Sequence, residues 1–317
     1  MALDSESASA AEVAAAERTI GRAYLDAVAW LRSQATIASI AQAIREYRLG
    51  EVLAEADISV TAESIATATN DAYVRAARKV AAHLTRKLAK PTSYDAVNTR
   101  AVRAIQSNTL EKVREVSDEI RTVVRRAVSD GITAGMNPRA QARMIRGSIG
   151  LTEKQYEIVA NYRAKLVAGD PRALSYKLRD RRFDRTVRAK KPLTEKQIET
   201  MVQRYQDRLV RYRATVIART EALRSVHLGA EEMWAQAIDS GSVDPDAIVR
   251  TWRHAGGGRH SRDGHKRMHG QKRAIGVAFV NAVTGMHLRF PCDPNAPVSE
   301  TAQCRCLVTV RLAPAPA

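Results

Sequence analysis

The sequence predicts a mainly α-helical body, built from long helices and helical hairpins, followed by a small C-terminal α+β module. Of the 317 residues, 45% are hydrophobic but only 5% are aromatic, a balance that suits long helices packed through small side chains. Apolar residues recur at three- and four-residue steps up to about Ala237, which is the period of an amphipathic helix. Beyond that point, turn residues and short β-prone runs replace the helical period.

Three long helices are predicted before residue 131. The first has one apolar face, formed by Ile20, Tyr24, Val28 and Leu31. The second follows "DISVTAES" and ends at Lys90-Pro91, because proline cannot continue a helix. The third runs from about Tyr94 to Asp130.

The stretch "GMNPRAQARMIRGSIGLTEKQ" interrupts the helices. Gly135 ends the third helix, and Asn137 is placed to cap a short helix after it. Because this helix carries Arg139, Arg143 and Arg146, the region is similar to a DNA-reading helix-turn-helix. A helical hairpin connection is commoner in an all-helical chain, and we favour it.

A dense basic segment, residues 171–191, lies between two similar helices, "LTEKQYEIVANYRAKL" and "LTEKQIETMVQRYQDRL". The segment contains nine basic residues and only two acidic ones, Asp180 and Asp184. Tyr176 and Phe183 are interleaved with the basic residues. This pattern suits nucleic acid, with phosphate contacts from the basic residues and base stacking from the rings. An exposed basic helix with two core aromatics is an equal alternative. The basic residues are Arg172, Lys177, Arg179, Arg181, Arg182, Arg185, Arg188, Lys190 and Lys191.

The net charge of +17 is unevenly distributed. Residues 1–70 hold ten acidic and five basic residues, which leaves +22 on the remainder. A strongly basic body attracts a polyanion, with nucleic acid as the first candidate and an acidic protein surface as the second.

Three further features of the sequence bear on the cellular compartment of the protein. No apolar run approaches the roughly 20 residues that span a bilayer, and the acidic N-terminus lacks the basic and apolar regions of a secretory signal. The three cysteines, Cys292, Cys304 and Cys306, cluster late in the chain, unlike a disulfide framework. We therefore expect synthesis in the cytoplasm, reduced thiols and no membrane partner.

These features divide the chain into three expected regions. Residues 1–135 form a helical region for contact with a protein partner, and residues 136–240 a basic helical region. Residues 241–317 form the α+β module, with short β-like runs on both sides of a turn at Asn281–Gly285 and a final strand in "CRCLVTVRL".

Five of the seven histidines and all three cysteines fall within residues 254–306. His265 and His269 are four apart and would share one face of a helix, while Cys304 and Cys306 would share one face of a strand. These four side chains form a candidate zinc site, although structural zinc sites prefer two or more residues between cysteines. Two alternatives stay open: cysteines in a small core with histidines in a solvated loop, and a nuclease centre, for which only one acidic residue lies near.

The order of the C-terminal motifs resembles the phage head morphogenesis, or minor capsid, family, proteins like the Mu protein F. The motifs are "RYRATVIARTEALRSVHLGA", "RHSRDGHKRMHGQ", "FPCDPNAP" and "QCRC". The resemblance is clear from about Arg211 to Leu307 and extends more loosely through residues 137–210. The characteristic positions are Arg219, Thr220, Glu221, Trp252, Arg262, His265, Gly270, Cys304, Arg305 and Cys306.

The sequence departs from the family pattern at four positions. Members tend to carry aspartate where this chain has Gly258 and arginine where it has His260. They tend to carry aspartate or asparagine at the position of His269, and glycine at the position of Cys292. The missing acids weaken a catalytic role for His265 and favour a metal-binding or structural role for His265, Cys304 and Cys306.

The resemblance implies a few-copy protein inside the phage head, at the portal vertex, that assists procapsid assembly and DNA packaging or ejection rather than catalysis. The implied partners are the portal protein, a major capsid or scaffolding protein, and double-stranded DNA bound without sequence preference. The expected DNA surface combines residues 171–191 with Arg211, Arg213, Arg259 and Arg262. The main rival is a metal-dependent nuclease or toxin-like enzyme that uses the C-terminal module, and a host DNA-binding regulator is a third option.

Overall fold

A computed structural model of the protein describes residues 3–46, 48, 55–256 and 261–313. The chain is 67% helical and carries a small three-stranded antiparallel sheet near its C-terminus, which confirms the predicted fold class. Among the helices of these ranges, none combines the length and the apolar character that a membrane span requires.

Four helices of 32 to 45 residues dominate the fold. The second of them ends at Leu88, just before the predicted stop at Lys90-Pro91. The Asn137 side chain accepts a hydrogen bond from the Ala140 backbone N–H, which confirms the predicted cap. The helices are α1 (Leu3–Gln34), α2 (Ile37–Arg45), α3 (Glu55–Leu88), α4 (Thr99–Thr133), α5 (Pro138–Ser148), α6 (Glu153–Val167), α7 (Asp184–Arg188), α8 (Glu195–Asp239), α9 (Asp263–Arg267) and α10 (Val298–Thr301).

The strands are β1 (Ile248–Arg253), β2 (Lys272–Ala274), β3 (Phe279–Val280), β4 (His287–Leu288) and β5 (Leu307–Leu312). The sheet has the order β2-β1-β5, all antiparallel, and Trp252 of β1 lies opposite Val308 of β5. Strands β3 and β4 form the predicted hairpin, closed by a hydrogen bond of 2.8 Å from the Gly285 N–H to the Asn281 carbonyl oxygen. The central strand β1 was not predicted.

The chain forms two compact units, each assembled from separate stretches. Unit 1 consists of Met1–Arg22, Ala66–Leu110 and Thr215–Ala317, and unit 2 of Ala23–Ile65 and Glu111–Ala214. The expected regions do not follow these units, because α1, α3, α4 and α8 each contribute residues to both.

The core of unit 1 packs α3 and α8 against the C-terminal module through a mixture of alanines and larger apolar side chains. Gly229 of α8 approaches the backbone of α3 so closely that a Cβ there would lie 2.1 Å from the Tyr73 carbonyl oxygen. Only glycine permits this contact. The packed residues are Ala77, Ala81 and Leu84 of α3, Met233, Trp234 and Ala237 of α8, and Val243 and Ile248.

Three tyrosines in unit 2 hold the basic segment in place. The rings of Tyr162 on α6 and Tyr205 on α8 are 4.7 Å apart, and Tyr176 packs 5.0 Å from the first and 5.8 Å from the second. Tyr176 therefore fixes the segment against two helices, as the core-aromatic alternative predicts, and its ring is committed to this packing.

Candidate metal centre and arginine groove

A buried cluster of one imidazole and two thiols lies in unit 1. His265 on α9 and Cys304 and Cys306, just before β5, are only 2%, 3% and 3% exposed. His265 Nδ1 lies 3.5 Å from Cys304 Sγ and 3.7 Å from Cys306 Sγ, and the three atoms all lie within 4.8 Å of one another. Arg305 is exposed between the two buried cysteines, but all three residues precede β5 instead of lying on the predicted strand. The group could hold a metal ion.

A carboxylate orients the imidazole of this group. His265 Nε2 lies 2.8 Å from Glu300 Oε2, and this contact directs Nδ1 toward the two sulfurs. Glu300 is itself held, because Thr284 Oγ1 donates to it at 2.7 Å and Asn281 Nδ2 at 3.2 Å. Metal-binding histidines commonly have this arrangement, with a carboxylate on the nitrogen that does not face the metal.

The electrostatics of the cluster favour a thiolate at Cys304. Hydrogen bonds with Cys292 and Cys306 lower the pKa of Cys304 below its ordinary value, against the effect of burial. The hydrogen bond with Cys304, together with burial, raises the pKa of Cys306. Burial by itself lowers the pKa of His265, but the contacts with Cys304 and Glu300 outweigh it and raise that pKa. A sulfur binds metal as the thiolate, so this environment suits a metal ligand.

The donor set fits a borderline-soft cation. Zinc prefers imidazole nitrogen and thiolate sulfur, whereas magnesium and calcium take oxygen ligands. The donor types of His265, Cys304 and Cys306 therefore match those that zinc prefers.

The structure places His269 outside this group. Helix α9 ends at Arg267, so the four-residue spacing from His265 to His269 does not place the two on one helical face. His269 is exposed, and its Nδ1 accepts a hydrogen bond of 3.1 Å from the His254 backbone N–H. Asp263, the one acidic residue that the sequence offered here, is exposed and pairs with Lys266 at 2.9 Å.

Further motif residues support the cluster. The Trp252 ring packs edge-on against His265 with 5.4 Å between centroids, and the Gly270 N–H donates to the Trp252 carbonyl oxygen at 2.8 Å. Arg262 donates to the carbonyl oxygen of Ala302 at 2.8 Å. Residues far apart in the sequence therefore enclose one buried site.

The remaining motif residues lie on α8. Arg219 pairs with Glu17 at 3.2 Å, and the Thr220 hydroxyl donates to the Val216 carbonyl oxygen at 3.0 Å. Glu221 is buried and lies 3.4 Å from Arg224. These contacts are structural, within the helix and to α1.

A second candidate site is an arginine groove on unit 2. It is a concave pocket with a volume of about 590 Å³, where the middle of the basic segment faces α8. The five arginines outnumber the aspartates by three. The lining residues are Arg181, Arg182, Arg204, Arg208 and Arg211 with Asp180 and Asp207.

Buried Asp180 organises the groove. It is 2% exposed and pairs with Arg182 at 2.7 Å and with Arg204 at 2.8 Å. Arg208 donates to the Leu178 carbonyl oxygen at 3.1 Å. The sequence interpretation missed Arg204 and Arg208, although their spacing to Arg211 is that of one helical face.

The other predicted DNA-contacting residues differ in how exposed they are. Arg179 is largely buried, and its guanidinium donates two hydrogen bonds to the Asp184 carboxylate, of 2.7 and 2.8 Å. Arg213 is buried and forms an ion pair with Glu119. Both therefore lie outside the exposed basic surface. Arg259 lies outside the described residues, as do Gly258 and His260. The exposed members of the segment are Arg172, Lys177, Arg181, Arg182, Arg185, Arg188, Lys190 and Lys191.

Comparisons with protein-family models, with curated proteins and with solved structures found no match to this chain.

Proposed function

We propose that this protein is a phage minor capsid, or head morphogenesis, protein that contacts the portal and packaged double-stranded DNA inside the head. The arginine groove carries the proposal, because five arginines line one concave surface. Such a surface binds phosphates along a nucleic-acid backbone without reading sequence. The acidic first 70 residues and the basic remainder suit a protein that bridges a protein surface and DNA.

The buried cluster supports the family assignment. Trp252, His265 and the pair Cys304 and Cys306 are characteristic positions from three separate parts of the sequence, yet they meet in one site. An ordered signature that forms one packed structure is more specific than its short motifs taken separately. The nuclease alternative needs substrate at His265, whose side chain is only 3% exposed.

The cluster is proposed to hold zinc as a structural ion of the C-terminal module. Two thiolates and one imidazole match zinc, and Glu300 supplies the orienting carboxylate. The bound ion would link α9 to the segment that leads into β5, across a module with few regular hydrogen bonds.

Replacing Glu300 with glutamine is expected to weaken zinc binding by about 10- to 100-fold. The amide is a weaker acceptor and no longer favours the Nε2–H tautomer that leaves Nδ1 free for the metal. Zinc affinity would be measured by competition with a chromophoric chelator. Asp263→Asn, which changes an exposed acid of the same module, is the control. Equal affinities for wild type and Glu300→Gln would contradict the orienting role.

Neutralising the groove is expected to weaken DNA binding and flatten its salt dependence. In the variant Arg181→Gln/Arg204→Gln/Arg211→Gln, each lost phosphate contact lowers the slope of log K against log salt by about 0.9, or by about 2 to 3 in all. Arg182 and Arg208 stay in place to hold Asp180 and the segment. Binding would be measured by fluorescence anisotropy at several salt concentrations.

The control for that experiment removes the same charge from elsewhere in unit 2. Arg114, Arg125 and Arg139 are exposed and do not line the groove, so their triple glutamine variant should keep most of the slope. An unchanged slope in the groove variant would overturn the groove as the DNA site. Preference for one sequence over competitor DNA would instead indicate a regulator, and turnover lost in His265→Ala would indicate an enzyme.

The assembly role is tested by co-expression with a candidate portal protein from the same genome. We expect a few copies to co-sediment with portal rings and to be retained in procapsids. Absence from both particles, with the protein folded and DNA-binding intact, would refute the virion role.

A further inference from the structure

A third buried sulfur lies beside the proposed zinc ligands. Cys292 is 2% exposed and belongs to the turn that follows β4. Its Sγ donates to the Thr301 carbonyl oxygen at 3.3 Å, and the Cys304 backbone N–H donates to the same oxygen at 3.1 Å. The described cysteines are all free thiols, and all three are buried. A third buried sulfur therefore lies next to the group of one imidazole and two thiols.

The backbone at Cys292 is held in a conformation that favours glycine. Its φ angle is +62°, a left-handed conformation that strains the backbone of any residue with a side chain. The turn is fixed by buried Asp293, which accepts from the Arg289 backbone N–H at 3.0 Å and from its guanidinium at 2.8 Å. A cysteine in this position keeps a sulfur beside Cys304 at the expense of backbone strain.

The coordination chemistry of zinc requires one more ligand. Structural zinc sites are four-coordinate and closed to water, and the three atoms described above supply three positions inside a buried site. Glu300 is engaged by His265, Asn281 and Thr284. Cys292 Sγ and the Cys304 N–H share the Thr301 carbonyl oxygen, so Cys292 is the described sulfur placed to complete the set.

We propose that Cys292 is the fourth ligand of a Cys₃His zinc centre with His265, Cys304 and Cys306. This inference rests on the proposed zinc site and specifies its ligands. On binding, a Zn–S bond replaces the S–H bond of Cys292 and the proton leaves to solvent. Rotation of the side chain away from the Thr301 carbonyl group accompanies this exchange.

Cobalt substitution in the full-length protein, under anaerobic reducing conditions, counts the thiolates. The sulfur-to-cobalt charge-transfer absorption per bound ion is expected to correspond to three thiolates in the wild type. Cys292→Gly suits the positive φ angle and removes only the sulfur, so its absorption should fall by about one third. Cys306→Ser, which removes an assigned ligand, is the reference and should show the same loss. Zinc affinity should fall by more than about tenfold in both variants.

The possible failures are distinguishable. Full absorption and unchanged zinc affinity in Cys292→Gly would overturn this inference while leaving the zinc proposal intact. A zinc X-ray absorption spectrum with two sulfurs and two nitrogens, as a histidine such as His227 would give, would also overturn it. Wild-type protein that binds neither zinc nor cobalt would refute both proposals. Circular dichroism of each variant verifies that the helical body is folded.

Discussion

Removing the proposed zinc ion is expected to unfold the C-terminal module while the long helices persist. Structural zinc in small modules contributes about 10 kcal/mol or more of apparent binding free energy at neutral pH. The module has only short strands outside β1 and β5, of two or three residues each, so its remaining core is small. Loss of the ion would leave a buried thiolate and imidazole without their shared partner, which is costly in an apolar interior.

Hydrogen exchange measured before and after chelation tests this expectation. Amides of β1, β5 and the β3–β4 hairpin should lose protection, whereas those of α4 and α6 should keep it. His265→Ala should reproduce the loss without a chelator. His287→Ala, which changes an exposed histidine of β4, should have little effect. Zinc-depleted protein with full protection of β1 and β5 would contradict a structural role for the ion.

The sequence identified the imidazole and the two thiols of the buried cluster, but not the residues that position them. Cys304 and Cys306 alternate with exposed Arg305, and that two-residue period can be recognised without a structure. The grouping of His265 with His269 failed because α9 is only five residues long, so helical spacing ends before His269. Glu300 meets His265 across 35 residues of turns and short strands, and no periodic pattern connects the two.

The groove shows a similar division. Local charge density identified Arg181 and Arg182, but their relation to α8 depends on Tyr176, which packs on two helices. Arg204 and Arg208 follow the period of α8 and were recognisable as one face with Arg211. The contact between this face and the basic segment depends on the tertiary structure, which the sequence pattern does not indicate.

Strand β1 was missed because an arginine interrupts its apolar pattern. Within Ile248–Arg253, the charge of Arg250 favours an exposed side chain, but Arg250 is only 1% exposed. It pairs with Glu231 of α8, and its guanidinium lies 5.2 Å from the centre of the Phe279 ring. It also donates to three backbone carbonyl oxygens, those of Ala274, Val277 and Arg289. The arginine is thus a central connection of the module.

Replacing Arg250 with methionine is expected to lower the free energy of unfolding of unit 1 by about 3 to 5 kcal/mol. Methionine preserves apolar volume but leaves Glu231 and three carbonyl groups without their partner, and breaking one side of a buried ion pair has effects of this size. Urea unfolding followed by circular dichroism measures the change. Arg311→Met makes the same substitution at an exposed site of β5 and should stay within about 0.5 kcal/mol of wild type.

The pH dependence separates charge burial from lost packing. Burial raises the pKa of Glu231 above its ordinary value of 4.5, and Arg250 opposes that rise. Without Arg250 the pKa of Glu231 should rise further. A carboxyl group with a raised folded-state pKa contributes stability that is fully present below its unfolded pKa and is lost as pH rises through the folded value. The difference between Arg250→Met and wild type should therefore be smaller at pH 5 than at pH 8, and adding Glu231→Met should recover part of it at pH 8. A penalty that is independent of pH and unrelieved by the second substitution would assign the role of Arg250 to packing and carbonyl contacts alone.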